Sequence, residues 1–342
     1  MTVLVVVSCL GGCGSNGQSV NNEKLTIVTT IFPEYDWVMN ILGDKATDVD
    51  VTMLLDNGVD LHSFQPTAAD ILKISSCDVF IYVGGESDGW VDDALQEAVN
   101  KDMIVINLLE ELGDSVKEEE VVEGMQEEDE EHEHHHDEDG DEDEHHHDED
   151  EDEDHDHHHD EDEVEYDEHV WLSLKNTAVL VDSITAALTQ ADPDNASVYR
   201  SNADAYKEKL AELDGRYEEV VAAANKNTVL FGDRFPFRYL TDDYGLNYYA
   251  AFVGCSAESE ASFETITFLS GKVDELGLGA VLTIEGNDHR IAETVIQNTA
   301  EGNQKVLTMD SMQSVTKDDV AKGVTYLSIM EENLNVLQDA LN

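Results

Sequence analysis

Two hydrophobic periods take turns along this chain. Residues 25–30 form a run rich in β-branched side chains, residues 35–42 carry apolar side chains at helical spacing, and residues 49–55 alternate again before the turn signal Asp56-Asn57-Gly58. A strand, a helix and a strand in that order predict a parallel pair. Thr67-Ala68-Ala69-Asp70 opens a further helix with a capping-box pattern in which Asp replaces the usual Glu. A strand at 79–83, a helix from about Trp90 and a strand at 104–107 complete a first α/β lobe.

The alternation resumes after residue 168. Residues 177–188 predict a helix, and Asp192-Pro193 opens another with an acidic N-cap and Pro at its first position. Tyr199, Ala203, Tyr206, Leu210, Leu213, Tyr217, Val220 and Ala224 follow in steps of four and three, which is one sustained amphipathic face. About 30 residues at about 1.5 Å each give about 45 Å. That exceeds the need of one small lobe, so a rod crossing between lobes is expected. Strands at 228–231, 246–253, 280–284 and 305–307 then alternate with helices at 237–244, 263–276 and 291–299. A closing helix runs through Val320, Val324, Leu327, Leu334, Leu337 and Leu341. The predicted class is α/β: a leader and tether over 1–23, a first lobe over 24–193, a linking helix over 194–225 and a second lobe over 226–342.

Charge changes the picture inside the first lobe. The 342 residues carry 78 acidic and 18 basic side chains, a formal net charge of -60. Nucleic acid would be repelled and is not expected as a partner. Residues 118–168 hold 32 of the acids, 11 of the 14 histidines and no Lys or Arg. Because no apolar residue occurs from 126 to 163, no core can form there, and 118–165 reads as a disordered loop. Its imidazoles fall in three clumps: His132, His134, His135 and His136; His145, His146 and His147; His155, His157, His158 and His159. Neutral imidazole suits zinc, copper and nickel, so the loop reads as an auxiliary metal-binding segment. Its affinity should be modest, since each ion must order a floppy chain.

The first residues read as a secretion leader. Val-Leu-Val-Val-Val at 3–7 precedes Leu10-Gly11-Gly12-Cys13, which resembles a bacterial lipobox whose cysteine receives diacylglycerol; Val6-Val7-Ser8-Cys9 is a second, weaker match. The apolar run is too short to span a bilayer. Lipidation of Cys13 would hold the chain outside the cytoplasmic membrane. Cys77 and Cys255 lie beside apolar runs and are expected as free thiols.

A fixed metal site needs isolated ligands at loop mouths, where open α/β sheets bind ligands. His62 follows a strand and a turn, His169 stands where the acidic loop ends, and His289 opens a late helix. The segment Gly58-Val59-Asp60-Leu61-His62-Ser63-Phe64-Gln65-Pro66-Thr67 resembles the first histidine segment of metal-binding lipoproteins that feed zinc or manganese ABC importers. His169-Val170-Trp171-Leu172-Ser173 is similar to their second histidine segment, Tyr244-Gly245-Leu246 to their Tyr-Gly-Leu, and an acidic His-rich loop separates the two histidines as in zinc-specific members. The resemblance covers roughly residues 24–342. It implies two α/β lobes joined by a long rigid helix, an ion in the interlobe cleft, and His62 and His169 as ligands.

The resemblance puts a third ligand ten residues before Tyr244, where this chain has Arg234. A guanidinium stays protonated and does not ligate metals. Asp233 is the nearest substitute. For a fourth, carboxylate ligand the segment Ile284-Glu285-Gly286-Asn287-Asp288 offers Glu285 and then Asp288, with His289 as a further candidate. The reading that follows is a monomeric zinc-binding protein, not an enzyme, that delivers Zn(II) to the membrane permease of an ABC importer. Mn(II) in the same site, a surface zinc store or adhesin, and a zinc hydrolase are the alternatives. No His-Glu-x-x-His or Gly-x-Ser-x-Gly run supports the last.

Overall fold

The computed structural model describes residues 24–126, 165–256, 260–286 and 288–342. The expected lipidation site Cys13, the alternative Cys9 and all the histidines from His132 to His159 lie outside the described residues.

The first sheet contains β1 (Leu25–Thr29), β2 (Val49–Met53), β3 (Val79–Tyr82) and β4 (Ile104–Asn107), in the order β2-β1-β3-β4 with every pair parallel. The second contains β5 (Thr228–Phe235), β6 (Asn247–Val253), β7 (Ala280–Thr283) and β8 (Lys305–Thr308), in the matching order β6-β5-β7-β8, again parallel throughout. Central strands such as β3 and β7 are buried along their whole length, which is why their sequences read as unbroken apolar runs rather than alternating ones.

Helices cover the sheets. In the first lobe these are α1 (Phe32–Leu42), α2 (Ala68–Ser76), α3 (Val91–Gln96), α4 (Leu108–Leu112) and α5 (Leu174–Ala191). After α6 (Ala196–Ala223) come α7 (Arg238–Tyr244), α8 (Phe263–Leu276), α9 (Arg290–Gln297), α10 (Lys317–Ala321) and α11 (Tyr326–Ala340). The capping box forms as its sequence suggests: the Thr67 hydroxyl accepts from the Asp70 N–H while Asp70 accepts from the Thr67 N–H.

Two helices depart from expectation. Pro193 opens a short 3-10 turn, Pro193–Asn195, rather than α6 itself, and the Asp192 carboxylate accepts from the Asn195 side-chain amide and the Tyr199 hydroxyl. The closing helix is two helices, because the chain turns at Gly323 with φ 95°, a left-handed geometry that glycine adopts without steric cost. Thr325 then caps α11.

The long helix joins the lobes. Near its start, the Asn202 amide donates to the Ile41 carbonyl and the Tyr206 hydroxyl faces Asp36, both on α1. Near its end, the Tyr217 hydroxyl donates to the Met330 carbonyl on α11 and Asp214 accepts from Tyr244 on α7. One continuous apolar core runs from Trp37 and Phe80 through Tyr199, Tyr206 and Tyr217 to Phe231 and Met330, while a smaller core under Leu269 and Val295 backs the outer face of the second sheet. A strap, residues 116–126, leaves the first lobe and lies on the second: Lys117 N–H donates to the Tyr239 hydroxyl, Arg238 pairs with Glu120, and Gln126 N–H donates to the Ala251 carbonyl. It meets the returning chain in an antiparallel bridge between Glu118 and Tyr166.

Candidate metal centre

Loops at the carboxyl ends of the strands converge between the lobes. After β2, Asp60 starts a one-turn helix, Leu61–Ser63, by accepting the His62 N–H at 3.0 Å. After the acidic loop, Asp167 accepts the His169 N–H at 2.9 Å just before the turn Val170–Leu172. These two local caps, each built from the carboxylate two residues upstream, aim the rings at each other. His62 Nε2 and His169 Nε2 lie 3.3 Å apart.

Each ring is held from behind. Asp167 Oδ1 sits 3.0 Å from His169 Nδ1, so Nδ1 carries the proton and Nε2 keeps its lone pair. Ser87 Oγ lies 2.7 Å and Glu168 Oε2 3.4 Å from His62 Nδ1, with the same consequence. A carboxylate behind an imidazole is the usual support of a ligating histidine, because it fixes the tautomer and strengthens the donor nitrogen. Glu168 is fixed by the Ser87 N–H, and it packs so closely on Gly85 that any side chain there would come within 2.3 Å of it. His169 is fully buried and packs against Trp171.

The two imidazoles titrate in opposite senses. Burial, then the facing His169, holds His62 down at about 3, against the pull of Asp60. Burial also opposes charging of His169, but Asp167, Glu168 and Glu119 outweigh it and raise that ring above its ordinary value. The opposite shifts leave room for at most one proton or one cation between the two facing nitrogens.

The expected carboxylate donors have partners within the protein. Asp233 lies in the irregular stretch of β5 between Phe231 and Arg234, where it accepts the Arg234 N–H at 2.9 Å and the Ile284 N–H at 3.2 Å, tying β5 to β7. Its carboxylate is thereby held to the sheet, and it is not one of the three donors grouped at the histidine pair among the described residues. Glu285 is equally occupied: it accepts the Ser311 N–H and hydroxyl, each at 2.7 Å, and the Gln313 N–H at 3.1 Å. That loop passes through Met312 in the left-handed region, φ 67°, and sets Gln313 Nε2 3.3 Å from His169 Nε2. Glu285 thus positions a neighbour of the histidine pair. Asp288 is exposed and clamped by Arg290, and His289 begins α9.

Sequence reasoning passed over the side chain that does join the pair. Among the described residues, one group brings donor atoms of three candidate ligands within 4.8 Å of one another, and it consists of His62, His169 and Cys255. Cys255 follows β6. Both it and Cys77 are free thiols. Cys77 is buried against Met103, its thiol pushed up to about 12 by burial and Asp78. Cys255 faces a cavity of about 240 Å³ whose carboxylates are Glu86, Glu119, Glu165 and Glu168. Burial, then Glu119, Glu168 and Asp167, raises its thiol well above the ordinary range. The signal that could have found it is its place at the carboxyl end of a parallel strand. A larger groove of about 1030 Å³ at the opposite end of the first sheet, beside Lys24, Asp50 and Tyr199, is lined by no histidine or cysteine.

Known proteins resemble the chain over nearly its whole length. It is 28% identical to the high-affinity zinc uptake system protein ZnuA of Bacillus subtilis strain 168 over 338 residues, covering 99% of this chain and 94% of that one. The zinc-binding protein AdcA of Streptococcus pyogenes serotype M18 is 29% identical over 333 residues, and the chain spans 57% of its length. The crystal structure of the Zn(II)-bound ZnuA-like domain of Streptococcus pneumoniae AdcA superposes with a TM-score of 0.66 at 26% identity, covering 93% of this chain and 99% of that domain. Residues 27–340 match the family described as ZnuA, zinc-uptake complex component A, periplasmic, and the chain belongs to that family.

Proposed function

We propose that the chain is an extracytoplasmic solute-binding protein that captures Zn(II) between its lobes and releases it to the permease of an ABC importer. It does so as a monomer, held to the membrane through Cys13 and catalysing no covalent reaction. The observation that carries the reading is the facing pair, with His62 Nε2 and His169 Nε2 3.3 Å apart and both Nδ1 atoms tied back. Two nitrogens at about 2.0–2.1 Å from a tetrahedral zinc stand about 3.4 Å apart, so the pair already has the length of one edge of such a site. The names of the relatives support the same cargo, and a Streptococcus pneumoniae relative, 28% identical over 338 residues, is called a zinc-binding lipoprotein. No helix among the described residues is long and apolar enough to cross a membrane.

Capture exchanges hydration for fixed donors. Zinc entering the gap takes the lone pairs of the two Nε2 atoms and displaces any proton shared there. The surrounding carboxylates and the acidic character of the whole chain raise the local cation concentration, an effect that salt screens. Replacing His62 and His169 together by Ala should abolish tight zinc binding, measured by competition with a chromophoric chelator, while weaker binding persists. A double variant that kept the tight site would place zinc elsewhere and end this reading.

A further inference from the structure

We propose that Cys255 is the third protein ligand of the bound zinc, as a thiolate completing a two-nitrogen, one-sulfur site with His62 and His169. The inference rests on the zinc-capture reading and names the donor that the histidine pair lacks.

The geometry places the sulfur correctly. One donor atom from each of the three side chains lies within 4.8 Å of the other two. Zinc–nitrogen bonds of about 2.0–2.1 Å and a zinc–sulfur bond of about 2.3 Å require donor separations of about 3.4–3.6 Å, so a contraction of at most about 1.4 Å brings the three together. Gly254 makes this approach possible: a side chain there would come within 2.9 Å of His169 Cε1 and 3.0 Å of Nδ1, so the turn bearing Cys255 is pressed against the ring.

Arg234 explains why the site needs the sulfur and how it is held. Where family resemblance expects a third ligand, this guanidinium instead donates to Asp60 at 2.8 Å and to the Ser256 carbonyl at 3.4 Å. Asp60 is the cap of the His62 turn, and Ser256 follows Cys255. Arg234 is therefore a bracket between the His62 loop and the Cys255 loop, one from each lobe. A donor lost at this position is replaced by a donor two loops away that the substituting residue itself secures.

Glu119 supplies the route for the proton. It accepts the Cys255 N–H at 3.2 Å and also hydrogen-bonds the thiol. On capture the S–H bond breaks, the sulfur lone pair forms the Zn–S bond, and the proton passes to Glu119 and out to water. No oxidant or reductant is involved. A thiolate donor also selects the cargo, since sulfur favours zinc over manganese.

The test uses the full chain loaded with one equivalent of Co(II), whose thiolate complexes absorb by sulfur-to-metal charge transfer. The acidic loop contains no cysteine, so that band reports sulfur alone. The wild type and Cys77→Ser should show it. Cys255→Ser should lose it, bind zinc at least about tenfold more weakly, and narrow the preference for Zn(II) over Mn(II). Cys255→His, which returns a nitrogen donor, should restore zinc affinity without the band. Unchanged metal-free melting of both variants guards against misfolding. A Cys255→Ser protein that kept the band or the wild-type affinity would overturn the third-ligand assignment and leave the histidine pair standing. Loss of the zinc reading itself would show in the His62 and His169 double variant instead.

Discussion

The smallest unit that performs the chemistry is a histidine with a carboxylate two residues upstream. Asp167 and Asp60 each cap the backbone N–H of the histidine that follows, so the same short segment that supplies a ligand also orients it. That arrangement was legible, because His62 and His169 stand in segments with a recognisable order of residues. The partners of the carboxylates were not. Asp233, Glu285 and Asp288 have the right chemistry for metal, and only the loop geometry shows that two of them spend their oxygens on backbone N–H groups and the third on Arg290. Cys255 was obscured for the opposite reason: a cysteine beside an apolar strand reads as a small buried hydrophobe until its neighbours across the cleft are known. Asp167→Asn keeps a hydrogen-bond acceptor at His169 Nδ1 but removes the charge. Zinc affinity should fall about tenfold, with no loss of metal-free stability, as read by chelator competition and thermal melting.

At the level of elements, the alternation of β-rich and helical segments gave both parallel sheets, since each strand-helix-strand unit admits few topologies. The break between α10 and α11 escaped the periodicity, because Gly323 and the Thr325 cap interrupt a pattern whose apolar spacing continues across them. The packing of α1, α6 and α11 contains one costly group. Asp36 on α1 is buried, faces the Tyr206 hydroxyl on α6, and accepts from the Tyr326 backbone N–H at the start of α11. Burial raises its carboxyl from 3.8 to about 6, only partly offset by those hydrogen bonds. A raised folded-state value means that the native protein holds this proton more tightly than the unfolded chain. The contribution to stability is full below about pH 4 and is lost as pH rises through about 6, amounting to about 3 kcal/mol at most. Asp36→Asn should therefore flatten the pH dependence of urea unfolding between pH 4 and 6 and raise stability at pH 7. A variant less stable than wild type at pH 7 would show that the charged form is favoured in place.

For the whole molecule, the important fact is that one apolar core crosses from lobe to lobe along α6. Domains joined by small polar contacts move freely, whereas a large apolar junction resists opening, so zinc capture here should proceed by adjustment of loops more than by rotation of lobes. The described residues gather His62, His169 and Cys255 between the lobes, and the histidine-rich segment proposed as an auxiliary metal binder lies outside the described residues. Deleting residues 127–164 should leave one tight zinc site and lower the total number of ions bound, as counted by titration with elemental analysis; loss of the tight site would show that the loop supplies its ligands. The clasp between Glu118 and Tyr166 bears on how such a protein can change over generations. With both roots of the loop fastened there, closing a loop of twice the length costs only about 0.6 kcal/mol more. Insertions and deletions of histidine codons between the roots should therefore be nearly neutral for folding, so the histidine content of that segment can change over generations without disturbing the clasp.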